Sequence, residues 1–170
     1  MQIRDATPAG GEEARQFVLR PLAAPDAEGA ARLIRTAFAI QSRPTSPPSS
    51  ALRETDETIA AKIAQGGGFG IFEEGRLVAA ALWRIDGDAL HVARVSVAPE
   101  ARGRRLARDL IGACEAEARR RGARRMTLKA RLELPENERL FERCGFVRLK
   151  VEAHPGYEAP TTAVMEKGLA

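Results

Sequence analysis

A short basic turn joins an apolar segment to an amphipathic segment near the middle of the chain. Val95, Ser96 and Val97 are followed by Pro99 and then by residues 102–107, which read Arg-Gly-Arg-Arg-Leu-Ala. The first backbone N–H groups of a helix have no partner inside the helix, and the aligned peptide dipoles place partial positive charge there. A strand that leads through such a turn into a helix is therefore predicted to bind a phosphate group.

Two strands and one helix must position this turn. Residues 90–98 are predicted to form a strand, and the chain after Pro99 is predicted to form a helix that ends at Gly122. The buried face of this helix is expected to consist of Ala107, Leu110, Ile111, Cys114 and Ala118. Residues 125–130 then alternate apolar and polar side chains, as a strand does. A strand, helix and strand in this order require parallel strands.

The rest of the chain predicts an α/β protein, in the α+β sense of a mixed central sheet of about seven strands with about four helices. Strands are expected at residues 17–20, 69–72, 77–85, 90–98, 125–130, 146–151 and 162–167. Helices are expected to begin at Asp26, at Thr55 or Asp56, after Pro99 and at Pro135. Residues 17–170 are expected to form one domain, and residues 1–16, which show no periodicity, a disordered tail.

Composition limits the classes of function. The chain has 170 residues, a net charge of +4 and an isoelectric point near 9.6. No membrane span or secretion signal is recognisable, so a cytoplasmic location is expected. Arginine clusters permit nucleic acid as a partner, but no aromatic residues that stack on bases are interleaved with them, so a polyanionic small ligand is preferred. Two cysteines and two distant histidines indicate neither a disulfide framework nor a metal site.

The basic turn resembles a motif of the Gcn5-related N-acetyltransferase (GNAT) family. In that family an Arg or Gln is followed by two residues, a Gly, one further residue, and a Gly or Ala. Arg102 and Ala107 match the two ends, and Arg105 stands where the central glycine is usual. Residues 134–146 resemble a second motif, a helix with a Gly-Phe ending. The resemblance extends over residues 17–170.

The resemblance implies the GNAT fold, in which the sheet splays between the fourth and fifth predicted strands and acetyl-CoA, the acyl-donor cosubstrate, lies in the gap. The pantetheine arm is then expected to pair with Val95 and Val97, and the N–H of Val97 to donate to the thioester carbonyl. The pyrophosphate is expected on Arg102, Gly103, Arg104, Arg105 and Ala107. Asn137 is expected either to bind the pantetheine amides or to cap its helix.

The central position of the turn leaves two alternatives. If it needs only a helical backbone whose N–H faces the pyrophosphate, Arg105 serves there and adds charge. If it needs close approach to the ligand, the Cβ of Arg105 obstructs it.

Acyl transfer to an amine needs a neutral nucleophile, a polarised carbonyl and a proton for the departing thiolate. Many GNAT proteins have a tyrosine where this chain has Phe141. Tyr157 is therefore the candidate acid, with loop packing as the alternative. Glu133 is the candidate base, with an exposed loop carboxylate as the alternative. His91 is expected at the surface, and Arg94 is expected either to face the acceptor or to pair with an acidic neighbour.

The preferred interpretation is an N-acetyltransferase that moves an acetyl group from acetyl-CoA to a primary amine by direct attack. The alternative is a noncatalytic acyl-CoA-binding regulatory module, which the missing tyrosine favours. The acceptor, a small-molecule or protein amine, is expected between residues 42–53 and 153–160. No nucleic acid, membrane or metal is expected as a partner, and a homodimer through the last strands is compatible with the sequence.

Overall fold

The computed structural model describes residues 2–4 and 16–170, and side chains only in the second range. The strands are β1 (Gln2–Arg4), β2 (Gln16–Pro21), β3 (Gly67–Glu73), β4 (Arg76–Asp86), β5 (Ala89–Val97), β6 (Arg125–Arg131), β7 (Val147–Glu152) and β8 (Thr162–Gly168). The α-helices are α1 (Ala27–Ala39), α2 (Asp56–Gln65), α3 (Leu106–Arg120) and α4 (Pro135–Arg143). Over these residues the strands form one sheet in the order β1-β2-β3-β4-β5-β6-β8-β7.

The predicted mixed sheet and four helices are confirmed, with one strand more than the sequence indicated. The additional strand is β1, which pairs antiparallel with β2 and lies inside the predicted tail. A segment of three residues is too short to show the period of a strand, and its pairing with β2 supplies the signal that the sequence lacks. The rest of the predicted tail, apart from Gln16 at the start of β2, lies outside the described residues.

Local sequence signals set the helix boundaries. The Thr55 hydroxyl accepts a hydrogen bond from the N–H of Thr58, and the Thr58 hydroxyl accepts one from the N–H of Thr55, so α2 begins with a reciprocal cap. α3 begins later than predicted, because residues 99–101 form a separate 3-10 turn and the helix starts only at Leu106. Residues 102–105 of the basic turn therefore precede the helix, and Leu106 and Ala107 are its first two residues.

Both faces of the sheet are covered. Residues 78–83 of β4 are all buried, which a strand exposed on one face does not show. α1 and α2 pack against each other and against β4, while α3 packs against β3, β4 and β5. The guanidinium of Arg121, just beyond α3, stacks over the Trp83 ring at 4.5 Å and so marks the α3 face of β4. No helix among the described residues is long and apolar enough to cross a membrane.

Candidate active site

The neighbouring strands β5 and β6 are joined at one end and separate at the other. Their parallel register runs from Ala89 opposite Arg125 to His91 opposite Thr127 and stops there. Beyond this point the strands diverge around a cavity of about 850 Å³. The splay expected between the fourth and fifth predicted strands is therefore confirmed, and it opens on the side of the sheet where α3 begins.

A β-bulge in β5 accompanies the divergence. The register with β4 shifts so that Arg94 and Val95 together stand opposite the single residue Ala81. Arg94 has a φ angle of +57°, and the Ser96 hydroxyl donates a hydrogen bond of 2.9 Å to its carbonyl. A bulge bends its strand and increases the local twist, so β5 turns away from β6 at this position.

The backbone N–H of Val97 is directed toward the cavity. The next residue, Ala98, donates its N–H to the carbonyl of Val78 at 2.8 Å and so bonds toward β4. In an antiparallel pair, residues that bond to the neighbour alternate with residues whose N–H and C=O point the other way. Val97 is opposite Ala79 and is of the second kind, and both Val97 and Val95 line the cavity. This orientation suits a donor to a carbonyl held in the cavity.

The basic turn has two residues with left-handed backbone. The φ angle is +79° at Gly103 and +62° at Arg105, which immediately precedes α3. Successive N–H groups around a left-handed residue converge into a concavity that binds anions. Arg102, Gly103, Arg105 and Ala107 line the cavity, so four of the residues expected to bind a pyrophosphate meet at its edge.

Arg104 is placed elsewhere. Its Nη1 lies 3.4 Å from the Glu73 carboxylate, and its guanidinium packs against the Phe17 ring at 5.7 Å. Arg104 does not belong to the cavity lining. In this arrangement its side chain joins the turn to β2 and β3, and a contact with a ligand in the cavity would require these interactions to break.

The left-handed backbone of Arg105 explains why glycine is usual at the central position of the motif. The alternative in which this position needs only a helical backbone does not hold, because a φ angle of +62° lies far from the helical region. Residues with a Cβ pay roughly 1 kcal/mol in that conformation, and glycine does not. Arg105 brings charge to the cavity edge at this conformational cost.

We expect the Arg105→Gly variant to be more stable than the wild type by about 1 kcal/mol, because it removes the left-handed strain. The matched control is Arg105→Ala, which loses the same charge but keeps a Cβ. Chemical denaturation measures both. Equal stabilities of the two variants would contradict the interpretation that the left-handed backbone strains Arg105. The change in affinity for CoA that both variants share measures the contribution of the Arg105 charge to binding.

Asn137 lies in the first turn of α4 and lines the cavity. Its backbone N–H donates to the carbonyl of Leu134 at 3.0 Å. No hydrogen bond from its side-chain amide is found within residues 16–170, which favours the ligand-binding alternative over the capping one.

Glu133 and Tyr157, the candidate base and acid, contact a loop and are not part of the cavity lining. One carboxylate oxygen of Glu133 accepts a hydrogen bond of 2.9 Å from the N–H of Ser46. The Tyr157 hydroxyl is 3.3 Å from the Ser46 hydroxyl, and the residue is 39% exposed. Both residues thus meet the connection between α1 and α2, residues 40–55, which we call the α1–α2 loop. Their catalytic roles stay predictions.

Contrary to the prediction, His91 is partly buried rather than on the surface. Its Nδ1 lies 3.0 Å from the Thr127 hydroxyl, across the last paired position before β5 and β6 diverge. Burial, followed by repulsion from Arg84 and Lys129, lowers the pKa of His91 from 6.5 to about 4. The imidazole is therefore neutral at pH 7, and its contact with Thr127 joins β5 and β6 at their last paired position.

We expect the free energy of unfolding to decrease as the pH falls from about 6.5 to about 4, because unfolded His91 takes up a proton in that range and the folded state resists it. Above pH 6.5 the residue is neutral in both states and contributes no pH dependence. At pH 4.5 the decrease attributable to His91 is about 2 kcal/mol. Chemical denaturation at pH 7 and 4.5 should show a decrease that is about 2 kcal/mol smaller in His91→Gln than in the wild type. In the control His154→Gln, which removes the other histidine with a lowered pKa, the decrease should be closer to that of the wild type. An equal decrease in all three proteins would contradict the assignment.

Arg94 combines the two alternatives that the sequence left open. It lines the cavity, and its Nε also donates a hydrogen bond of 2.9 Å to the carboxylate of Glu54. Burial alone raises the pKa of Glu54, but hydrogen bonds from Lys62, Thr58 and Arg94 outweigh it and hold the pKa below its usual range. Glu54 was not predicted as a site residue, because a carboxylate just before a helix cap is typical of an exposed loop.

An open sheet that splays around a cavity, with an anion-binding turn at its edge and a backbone donor inside, defines an acyltransferase fold. The family model described as acetyltransferase (GNAT) family matches residues 34–146. The chain therefore belongs to the GNAT family, as its motifs indicated. The search of curated proteins found no match.

Solved structures of acetyltransferases share the fold at low sequence identity. The chain is similar to PaiA N-acetyltransferase from Thermoplasma acidophilum in complex with coenzyme A, with 19% identity, a TM-score of 0.73 and coverage of 90% of this chain and 99% of that one. It is similar to the ribosomal-protein-S18-alanine N-acetyltransferase from Escherichia coli, with 19% identity, a TM-score of 0.72 and coverage of 89% and 93%. It is also similar to YncA from Salmonella typhimurium with its cofactor acetyl-CoA, with 18% identity, a TM-score of 0.70 and coverage of 91% and 94%.

Proposed function

We propose that this protein is an N-acetyltransferase that moves an acetyl group from acetyl-CoA to a primary amine by direct attack. The observation that carries the proposal is the cavity between β5 and β6, which connects a backbone donor at Val97 to the basic turn before α3. The similar structures of PaiA and YncA hold coenzyme A and acetyl-CoA, respectively. Their ligands support acetyl-CoA as the donor for this chain.

The residues around the cavity fit acetyl-CoA. Four arginines from the turn, α3 and α4 line it and supply positive charge for phosphate groups: Arg102, Arg105, Arg108 and Arg143. Apolar side chains of Leu106, Leu134 and Leu140 also belong to the lining and suit an uncharged arm. Asn137 also lines the cavity and is the proposed partner of an amide in that arm.

When bound, acetyl-CoA supplies a thioester that an amine attacks. The N–H of Val97 is the proposed donor to the carbonyl oxygen, where negative charge develops, and one such donor is typically worth roughly 3 kcal/mol in the transition state. Direct attack is supported by Cys144, the cysteine in the cavity lining, because burial raises the pKa of its thiol and so disfavours the thiolate that a nucleophile needs.

Proton transfer is assigned to water. Among the described residues, Glu136 is the carboxylate that lines the cavity, but the hydrogen bond that it accepts from the Ser42 hydroxyl lowers its pKa and makes it a weaker base. Glu133 and Tyr157 take part only if the α1–α2 loop, which both contact, shifts when the acceptor binds.

The test is release of free thiol from acetyl-CoA across a panel of primary amines, with the acetylated product identified by mass spectrometry. We expect turnover with at least one amine class and none without an amine. Binding of acetyl-CoA by calorimetry, with no product from any amine, would instead favour the noncatalytic acyl-CoA-binding module. The two outcomes therefore separate the acetyltransferase from the noncatalytic binding module.

A further inference from the structure

Basic side chains line the cavity on both faces of the sheet. Those of the turn, α3 and α4 were assigned above to the phosphates of CoA. A second set comes from β5 and β6, and we call it the acceptor wall: Arg94, Lys129 and Arg131. Arg94 and Arg131 both donate hydrogen bonds to the α1–α2 loop. Lys129 and Arg131 are two residues apart in β6, so their side chains lie on the same face of the sheet. The acceptor wall therefore faces the α1–α2 loop, on the side opposite α3.

Two of the three acceptor-wall cations belong to clusters that keep positive charge after their ion pairs are counted, while Arg131 is balanced by the Glu133 carboxylate at 3.8 Å. The carboxylate of Glu54 is shared between Arg94 and Lys62. The carboxylate of Glu152 is shared in the same way between Lys129, at 3.0 Å, and Lys150, at 2.8 Å. One carboxylate neutralises one cation, so each of these two clusters has an uncompensated positive charge next to the cavity.

The guanidinium of Arg94 is fixed by two hydrogen bonds and has further N–H groups that can bind a ligand. Its Nε bonds to Glu54 and its Nη2 donates a hydrogen bond of 2.9 Å to the Ser50 hydroxyl. No hydrogen bond from its Nη1 is found in the described part of the chain. The side chain of Glu54 is only 3% exposed, so the guanidinium is anchored to a fixed, buried partner. A rigid arginine with free N–H groups is the usual means of binding a planar carboxylate.

The α1–α2 loop lies next to the acceptor wall and is hydrogen-bonded to β6, to the residues that follow β6 and to α4. Arg131 Nη2 donates a hydrogen bond of 2.6 Å to the carbonyl of Pro47. Ser46 bonds to Glu133, and Ser42 bonds to Glu136 at the start of α4. These ties narrow the approach to the acceptor wall, which fits a small molecule better than an extended polypeptide.

We propose that the acceptor is a small amine that carries a carboxylate, that Arg94 binds this carboxylate, and that Glu54 is the positioning residue that orients Arg94. The inference rests on the proposed function and specifies its acceptor. Diamines and polyamines are disfavoured because their second ammonium group would face the surplus positive charge of the acceptor wall.

The first experiment compares matched amines of equal chain length: an ω-amino acid, an aminoalkylphosphonate, an alkylamine and a diamine, at several lengths. We expect kcat/KM for the amino acid to exceed that for the alkylamine and the diamine by about 100-fold, as for a site built to pair with a specific polar group. Equal values, or preference for the diamine, would overturn the proposal. Preference for the phosphonate would assign the acceptor wall to phosphate and overturn the carboxylate assignment. Failure of every amine would instead count against the proposed function.

The second experiment tests Arg94 itself. Asparagine tolerates positive φ, so Arg94→Asn removes the guanidinium without adding backbone strain. We expect this variant to raise KM for the amino acid by about 100-fold and to abolish the preference for the amino acid over the alkylamine. Glu54→Gln should raise KM for the amino acid with a smaller change in kcat.

The matched control is Lys62→Gln. It removes another ion pair of Glu54, and Lys62 is not part of the cavity lining. It removes the surplus charge of this cluster but leaves Arg94 in place, so it should keep the preference for the amino acid over the alkylamine. Loss of the preference in Lys62→Gln, or its retention in Arg94→Asn, would overturn the role of Arg94. If Arg94→Asn fails to fold in thermal melting, the comparison of amines with the wild type decides the proposal alone.

Discussion

The Ala107→Glu variant is expected to lose affinity for coenzyme A by at least about 100-fold while keeping its stability. Ala107 is the second residue of α3 and lines the cavity beside the basic turn. A carboxylate there competes for the free N–H groups of the turn and repels the phosphates. The same carboxylate interacts favourably with the positive end of the helix and should stabilise the fold by about 0.3–1 kcal/mol.

Opposite effects on binding and stability distinguish this variant from one that simply damages the fold. Isothermal titration with coenzyme A measures the affinity, and thermal denaturation measures the stability. The matched control is Ala107→Gln, which adds a side chain of the same size without charge and should cost less than about 10-fold in affinity. Equal losses of affinity in both variants would mean that the size of the side chain, and not its charge, causes the loss. That result would contradict the assignment of the phosphates to the basic turn.

The Val97→Pro variant is expected to lower kcat by about 10²–10³-fold, because proline removes the N–H proposed to stabilise the developing oxyanion. The sheet should tolerate the substitution. The N–H of Val97 points away from β4, so no hydrogen bond between β4 and β5 is lost. The preceding residue, Ser96, lies within a strand and already has the extended backbone that proline demands of its neighbour.

The control for this variant is Val97→Ala, which shortens the side chain and keeps the N–H. Its kcat should remain within a few-fold of the wild type. Circular dichroism and titration with coenzyme A check that Val97→Pro folds and still binds the donor. A folded, donor-binding Val97→Pro variant with unchanged kcat would exclude the N–H of Val97 as the oxyanion donor.

Much of the fold was predictable because its signals are local. The strand, basic turn and helix that begin the site follow one another without interruption, and the reciprocal Thr55 and Thr58 cap and the Pro135 start of α4 each involve only a few residues. Such signals act on the backbone conformation within one or two helical turns, so they can be recognised in the sequence without knowledge of distant contacts. The order of the elements then restricted the topology, since a strand, helix and strand unit requires a parallel pair.

The left-handed backbone of Arg105 shows where local prediction ends. The sequence identified the position as unusual but left open whether its backbone is helical. The answer depends on how the chain enters α3 after the 3-10 turn at residues 99–101, and that path is set by packing against β4 and β5. The strand β1 was missed for a related reason, because its only signal is its pairing with β2.

The order of elements, the basic turn and the resemblance to the GNAT family follow from the amino-acid sequence alone. The surroundings of the acceptor side of the cavity depend on contacts between distant segments. Arg94 meets Glu54 across 40 positions of sequence, Ser46 meets Glu133 across 87, and Ser46 meets Tyr157 across 111. Contacts over such separations depend on the path of the α1–α2 loop, which is fixed by the folded sheet and not by the preferences of neighbouring residues.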